Sequence, residues 1–214
     1  MATSIVEARP DHAAFIAWAI LTAFRSHRPL GLWDFMLDAE ESEVLRYLEC
    51  LASTQEPHWA HYSVFLVAEV DGTPAAALSG YFDEELGIPA LQKGTAEADP
   101  RYGRTAADAA AGVQRIAPIF RVMPRHEPGT WLVESVATRP DYRRRGLVDA
   151  LLAEILERGR ERRASQAGIG VMIGNDRAQR AYEKAGFRVF SERRDPDFER
   201  IWGCPGLRAL SRTL

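Results

Sequence analysis

Three arginines and a glycine, Arg143-Arg144-Arg145-Gly146, stand between a strand-like run over residues 131–138 and a helical pattern that starts immediately after them. A chain that turns through glycine into a helix leaves several backbone N–H groups unpaired at the positive end of the helix dipole, which makes a seat for an anion. Gly146 lets the backbone approach that anion, and the arginines add charge-assisted donors. The plainer alternative is a turn glycine beside solvated arginines. No lysine follows as a phosphate-binding P-loop needs and no G-x-G-x-x-G is present, so ATP and dinucleotides fit poorly. Val148, Leu151, Leu152 and Ile155 follow the i, i+3, i+4, i+7 spacing of one buried helix face. A second strand at 169–173 makes a β-α-β unit with parallel strands and a right-handed crossover.

Further on come Asn175, Ala178 and Tyr182-Glu-Lys-Ala-Gly186-Phe187. Together with Arg143-x-x-Gly146-x-Val148 they resemble the GNAT superfamily of acyl-CoA-dependent N-acyltransferases. That family carries [R/Q]-x-x-G-x-[G/A] after its fourth strand and N-x-x-A-x-x-x-Y-x-K-x-G-F on a later helix. The second motif is complete here; in the first, Val148 stands where Gly or Ala is usual. The resemblance covers residues 130–193, the expected cofactor core. It implies acetyl-CoA as co-substrate, no metal, and cofactor contacts from Val136, Ala137, Thr138, Arg143, Arg144, Arg145, Gly146, Leu147, Val148, Asn175, Ala178 and Tyr182. It also implies that residues 136–138 pair with the pantetheine amides as an added strand and that the Val136 N–H polarises the thioester carbonyl.

Acetylating an amine requires its free base. With a pKa of ~10.4, only about one lysine-like amine in 10³ to 10⁴ is nucleophilic at pH 7, a cost of about 4–5 kcal/mol. Glu134, mid-strand in apolar sequence and, by alternation, on the face of Val136 and Thr138, is the candidate base, acting directly or through water. The alternative is a structural carboxylate paired with an arginine. Tyr182 matches the family tyrosine that protonates the leaving thiolate; otherwise it is a core tyrosine with a satisfied hydroxyl. Asn175 is either a cofactor contact or a helix N-cap.

The elements that must hold these groups read as one α/β domain over residues 1–214, with a mixed, mostly antiparallel central sheet flanked by helices. Residues 4–9 form a first strand, 11–25 a helix opened by Asp11, and 40–51 a second helix. Residues 26–37 read as a connection broken by Pro29 and Gly31, with Asp34 between Trp33 and Phe35 in a packed loop. Residues 52–63 read as a further loop, where His58 and His61 flank Trp59 without metal spacing. Asp71-Gly72 joins strands 64–70 and 74–80 as a hairpin. A long, partly helical insertion then fills residues 81–128, with Thr105 capping a helix over 106–120. After Gly186 come a strand at 187–193, a turn at 195–197, a returning strand at 198–202 and a short helical tail.

The formal charge of −3 gives no general pull toward nucleic acid or anionic membrane. The longest apolar run, residues 13–24, is too short to span a bilayer. Glu7, Arg9, Asp11 and His12 do not make a signal peptide. Cys50 and Cys204 lie far apart and read as reduced thiols of a cytosolic protein. The expected function is transfer of acetyl from acetyl-CoA to a primary amine of a small molecule or peptide, by direct attack in a ternary complex. The rival readings are a non-catalytic acyl-CoA-binding module and a nucleic-acid binder using the three arginines, the latter disfavoured by the acidic balance. Nothing in the cofactor motifs reads an acceptor. That task falls to residues 81–128, where Asp83, Glu84, Glu85, Tyr81, Phe82, Tyr102 and Phe120 suit a cationic, partly apolar amine. The same segment can instead cover a sheet edge or make a homodimer contact.

Overall fold

The computed structural model describes residues 2–214. A seven-stranded sheet in the order β1-β2-β3-β4-β5-β7-β6 carries the molecule. β1 (Thr3–Glu7) leads through a 3₁₀ turn to α1 (Ala13–Arg25), then α2 (Leu32–Leu37) and α3 (Glu41–Leu51). β2 (Phe65–Val70) and β3 (Thr73–Phe82) form the expected hairpin. Asp71 and Gly72 both take positive φ, 49° and 77°, as the tightest hairpin turns require. The insertion is a run of helices: α4 (Asp83–Leu86), α5 (Ile88–Arg101), α6 (Ala106–Ile116) and α7 (Ile119–Val122). Thr105 caps α6 as expected: its hydroxyl accepts from Asp108 N at 3.2 Å, and the Asp108 carboxylate accepts from Thr105 N at 2.8 Å. The helix stops at Ile116, short of Pro118, so α7 is a separate turn. β4 (Thr130–Thr138), α8 (Leu147–Glu161) and β5 (Gln166–Met172) make the β-α-β unit, followed by α9 (Asp176–Lys184), β6 (Arg188–Arg194), α10 (Pro196–Trp202) and β7 (Gly206–Thr213). The β4–β5 pair is parallel; the other pairs among the described residues are antiparallel.

Side chains alternate between two cores, one on each face. On β2, Phe65 and Val67 join the core of α1, α2, α3 and the insertion, whereas Leu66, Ala68 and Val70 join the core under α8. Leu151, Leu152 and Ile155 of α8 are buried as their spacing requires, against Leu78, Val133 and Ile169.

Three expectations need correction. Residues 26–37 are not all connection, because the break at Pro29 and Gly31 ends before α2 begins. Asp34, at the third position of that helix, accepts from Gly31 N at 2.8 Å and is held by Arg25 through Nε at 2.9 Å and a second guanidinium nitrogen at 2.5 Å. Residues 198–202 are helix, not strand. Asp195 accepts from Phe198 N at 2.9 Å and Pro196 takes the first helical position, so what reads as a turn is a capped helix start. The tail is strand β7, not helix, and it enters the sheet between β5 and β6.

Candidate active site

β4 and β5 run side by side only from Thr130↔Gln166 to Val133↔Ile169. Beyond that point β5 pairs with β7 alone, and the β5-facing edge of residues 134–138 has no strand partner among the described residues. A β-bulge in β4 lies at the parting. The register with β3 jumps from Ser79↔Glu134 to Ala77↔Ala137, so Ser135 and Val136 together oppose Leu78. Ser135 sits at φ 55°, unusual for a side-chain-bearing residue. The extra residue bends and twists the strand. It also corrects the simple alternation: Glu134 shares its face with Ala137, on the α1 side, while Val136 packs toward the α8 core. One strand thus presents its carboxylate to one side of the split and its free edge to the other.

A cavity of about 1100 Å³ opens at this split. The side on which the expected cofactor contacts fall, the expected donor side, is lined by residues 136–138, Tyr142, Arg143, Arg144, Gly146, Val148, Asn175, Ala178 and Tyr182. Gly146 is the N-cap of α8 at φ 77°, and a Cβ placed there would meet no atom within 4 Å. The helix start therefore faces open space with its first-turn N–H groups, the geometry that an anion seat requires. Leu147 borders the cavity, but its side chain is buried in the α8 core, so it has only backbone to offer. Arg143 donates to Thr138 O at 3.4 Å, tying the arginine loop to the end of β4. Arg145 does not line the cavity. Its guanidinium lies 5.0 Å over the Tyr142 ring and donates to Asp141 O at 3.0 Å, contacts that brace the loop.

Asn175 caps α9: its Oδ1 accepts from Ala178 N at 3.2 Å, and its Nδ2 donates to Ser26 Oγ at 2.7 Å, stitching α9 to the end of α1. Of the two alternatives for this residue the helix N-cap is the one that forms, and the capping side chain also borders the cavity. Tyr182, on the inward face of α9, is buried, and burial raises its phenol above the ordinary value. The hydroxyl is protonated near neutral pH, able to donate.

Glu134 lines the same cavity. Burial pushes its carboxyl up to about 7, a hydrogen bond from the Tyr81 hydroxyl partly offsets this, and the Asp83 charge raises it further. Tyr81 opposes Leu132 and so sits diagonally from Glu134 on the same face, within reach of a long aromatic side chain. The arginine-paired alternative is not what forms, because Glu134 enters no ion pair among the described residues.

The other side, where the insertion is expected to read an acceptor, is mainly apolar: Trp33, Trp59, Leu91, Ile116, Phe120 and Met123, with Asp83 and Glu84 beside them. The insertion does border Glu134, as expected, but not with every residue singled out. Glu85 faces outward and pairs with Arg162 at 2.9 Å. Phe82 packs edge-on against Trp131 at 5.1 Å, and Tyr102 donates to Arg46 O at 2.5 Å, away from the cavity. Sequence reasoning missed His126, which lines the cavity, packs against Gly168 and lies 5.6 Å from the Phe190 ring; burial lowers its pKa. It also missed Trp33 and Trp59, which carry no local signal beyond being apolar.

Residues 32–187 match the model of the acetyltransferase (GNAT) family, and the chain belongs to that family. No curated protein matches the sequence. Among solved structures, a protein described as an acetyltransferase superposes with a TM-score of 0.71 at 18% identity, over 98% of each chain. An N-acetyltransferase from Staphylococcus aureus Mu50 superposes with a TM-score of 0.66 at 20% identity, over 98% of this chain and 100% of its own. The PaiA N-acetyltransferase from Thermoplasma acidophilum, solved in complex with coenzyme A, gives 0.50 at 11% identity over the full length of both. At these identities the likeness is one of fold. No helix among the described residues is long and apolar enough to cross a membrane, and no group of three or more His, Cys, Asp or Glu side chains there is placed to hold a metal ion.

Proposed function

We propose that this protein transfers an acetyl group from acetyl-CoA to a primary amine of a small molecule or peptide, by direct attack with both substrates bound. One observation carries the reading: Glu134, with its carboxyl raised to about 7, and the protonated Tyr182 line one cavity beside the helix-start cradle at Gly146. The family supplies the donor class, and the residues present suit it. The open space at Gly146 and the first turn of α8 accommodate a pyrophosphate, with Arg143 and Arg144 adjacent. The free edge of residues 136–138 suits an extended amide-bearing arm laid down as a strand.

When bound, acetyl-CoA supplies an acetyl group already activated as a thioester. Glu134 takes the proton that the ammonium form of the acceptor must lose, directly or through water. A base poised near 7 is half ionised at neutral pH and so accepts that proton efficiently. The amine nitrogen then bonds to the acetyl carbon and the carbon–sulfur bond breaks. The Val136 N–H is the candidate donor to the carbonyl oxygen, as in the family. Tyr182 delivers a proton to the departing sulfur, which is a poor leaving group as a desolvated thiolate. The second proton, shed by the acylated nitrogen, passes through water to restore the Tyr182 hydroxyl.

Calorimetry with acetyl-CoA, followed by thiol release across a panel of primary amines, tests the proposal. The expected result is micromolar-range cofactor binding and amine-dependent turnover. Tight CoA binding with no turnover on any amine would favour a non-catalytic acyl-CoA-binding module instead.

A further inference from the structure

The acceptor side of the cavity is specific enough in its chemistry to select among amines. Trp59 lies 6.0 Å from the Trp33 ring and 5.4 Å from that of Phe24, a buried aromatic cluster that backs this side of the cavity from the core. Ile88, Val113 and Phe120 line the same cavity yet are 43%, 45% and 48% exposed. Large apolar side chains left open at the mouth of one cavity form a surface that an apolar body would cover. At the polar end stand two carboxylates, Glu134 on β4 and Asp83 where β3 runs into α4. Asp83 makes no side-chain hydrogen bond or ion pair among the described residues, whereas Glu84 already accepts from Gly129 N at 2.6 Å. Of the arginines lining the cavity, Arg143 and Arg144 flank the anion cradle and Arg177 lies in the first turn of α9. Arg125 is exposed.

We infer that the acceptor is a primary amine carried on a bulky apolar body, aryl-alkyl or branched alkyl, with no carboxylate beside the amine. This inference rests on the acetyltransferase reading. The ammonium is drawn between Glu134 and Asp83, and the body packs against Ile88, Val113 and Phe120. An α-amino acid would bring its own carboxylate against both acids, a like-charge contact; Arg125, next to Pro124 and His126 in the lining, is exposed and its charge is screened by water. A short hydrophilic amine would leave those three side chains uncovered.

The test is calorimetry of the full chain saturated with CoA, a complex in which no acetyl can transfer, titrated with 2-phenylethylamine, phenylalanine, ethanolamine and 2-phenylethanol. 2-Phenylethylamine is expected to bind roughly 10²-fold more tightly than either ethanolamine or phenylalanine. Asp83→Asn is expected to weaken 2-phenylethylamine about fivefold and to leave 2-phenylethanol unchanged; Phe120→Ala is expected to weaken both. Equal affinities for ethanolamine or phenylalanine overturn the inference, as does an Asp83→Asn effect that is the same for the amine and the alcohol. The two readings fail separately. Turnover of amines without this binding preference removes the substrate class and keeps the transferase, while the preference without turnover does the reverse.

Discussion

The two sides of the cavity are made in different ways. The donor side comes largely from one stretch, residues 136–182, and works mainly through backbone: a free strand edge, a helix start, a glycine at positive φ. The acceptor side is assembled from side chains of α1, α2, α5, α6 and α7 and the loop around Trp59. Backbone recognition depends on spacing and on a few residues with special conformations, so it tolerates little drift in sequence. A wall of apolar side chains depends only on volume and shape, and many combinations serve equally well.

Substitutions can break or sharpen this contrast. The largest effect is expected at Glu134, which belongs to the acceptor side by its facing. Glu134→Gln should lower kcat by about 10³-fold without weakening CoA, and it should abolish the rise of kcat/KM through about pH 7. It should also stabilise the fold. The folded-state value of about 7 exceeds the ordinary 4.5, so the native protein holds the proton more tightly than the unfolded chain. That contribution is fully present below about pH 4.5 and is lost as pH rises through about 7. At pH 8 the variant should therefore be more stable than wild type by roughly 2–3 kcal/mol, with little difference at pH 4.5, as read by denaturant titration. A wild-type stability that is flat between pH 5 and pH 8 would contradict the raised value.

Tyr182→Phe should lower kcat by roughly 10²-fold with acetyl-CoA affinity nearly unchanged, as removal of a proton donor does. Wild-type turnover in that variant would return Tyr182 to a packing role. Gly146→Asp tests the donor side directly, with Gly146→Asn as a control for strain at φ 77°. Calorimetry should show CoA binding weakened about tenfold more by Asp than by Asn, since only the former puts a negative charge in the cradle. Equal losses would mean that geometry, not charge, governs the site. The smallest effect belongs to Val148, which is half-buried and borders the cavity. Val148→Ala should tighten CoA binding by about threefold if its side chain crowds the phosphates, near 0.6 kcal/mol. Weaker binding would show that the valine supports the helix start.

How much of this was legible in the sequence follows the same division. Gly146, Tyr182 and the β-α-β unit around them announced themselves through spacing, and the Asp71-Gly72 turn through its dipeptide. The bulge at Ser135 did not, because nothing in E-S-V-A marks an extra residue; only pairing with β3 creates it. Its consequence, Glu134 facing away from Val136, was therefore out of reach. β7 was missed because Leu207, Ala209 and Leu210 give no regular alternation, and the strand is specified by the two neighbours between which it lies. Tyr81 was visible as an aromatic residue, but its hydrogen bond to Glu134 depends on a cross-strand diagonal that only the register supplies.

The placement of β7 has a consequence for how the chain assembles. β6 finds its strand neighbour in β7, and β7 is synthesised after it. While a nascent chain has emerged only as far as β6, that strand has no template to join, and one edge of β5 stands open with residues 166–172 ready to pair with whatever strand is near. The hairpin and the α8 unit can be in place by then, so the last piece to settle is an interior strand rather than an edge. Such an order makes the half-built sheet a site of chaperone dependence or mispairing during translation, and it gives residues 206–213 an influence on folding yield out of proportion to their number.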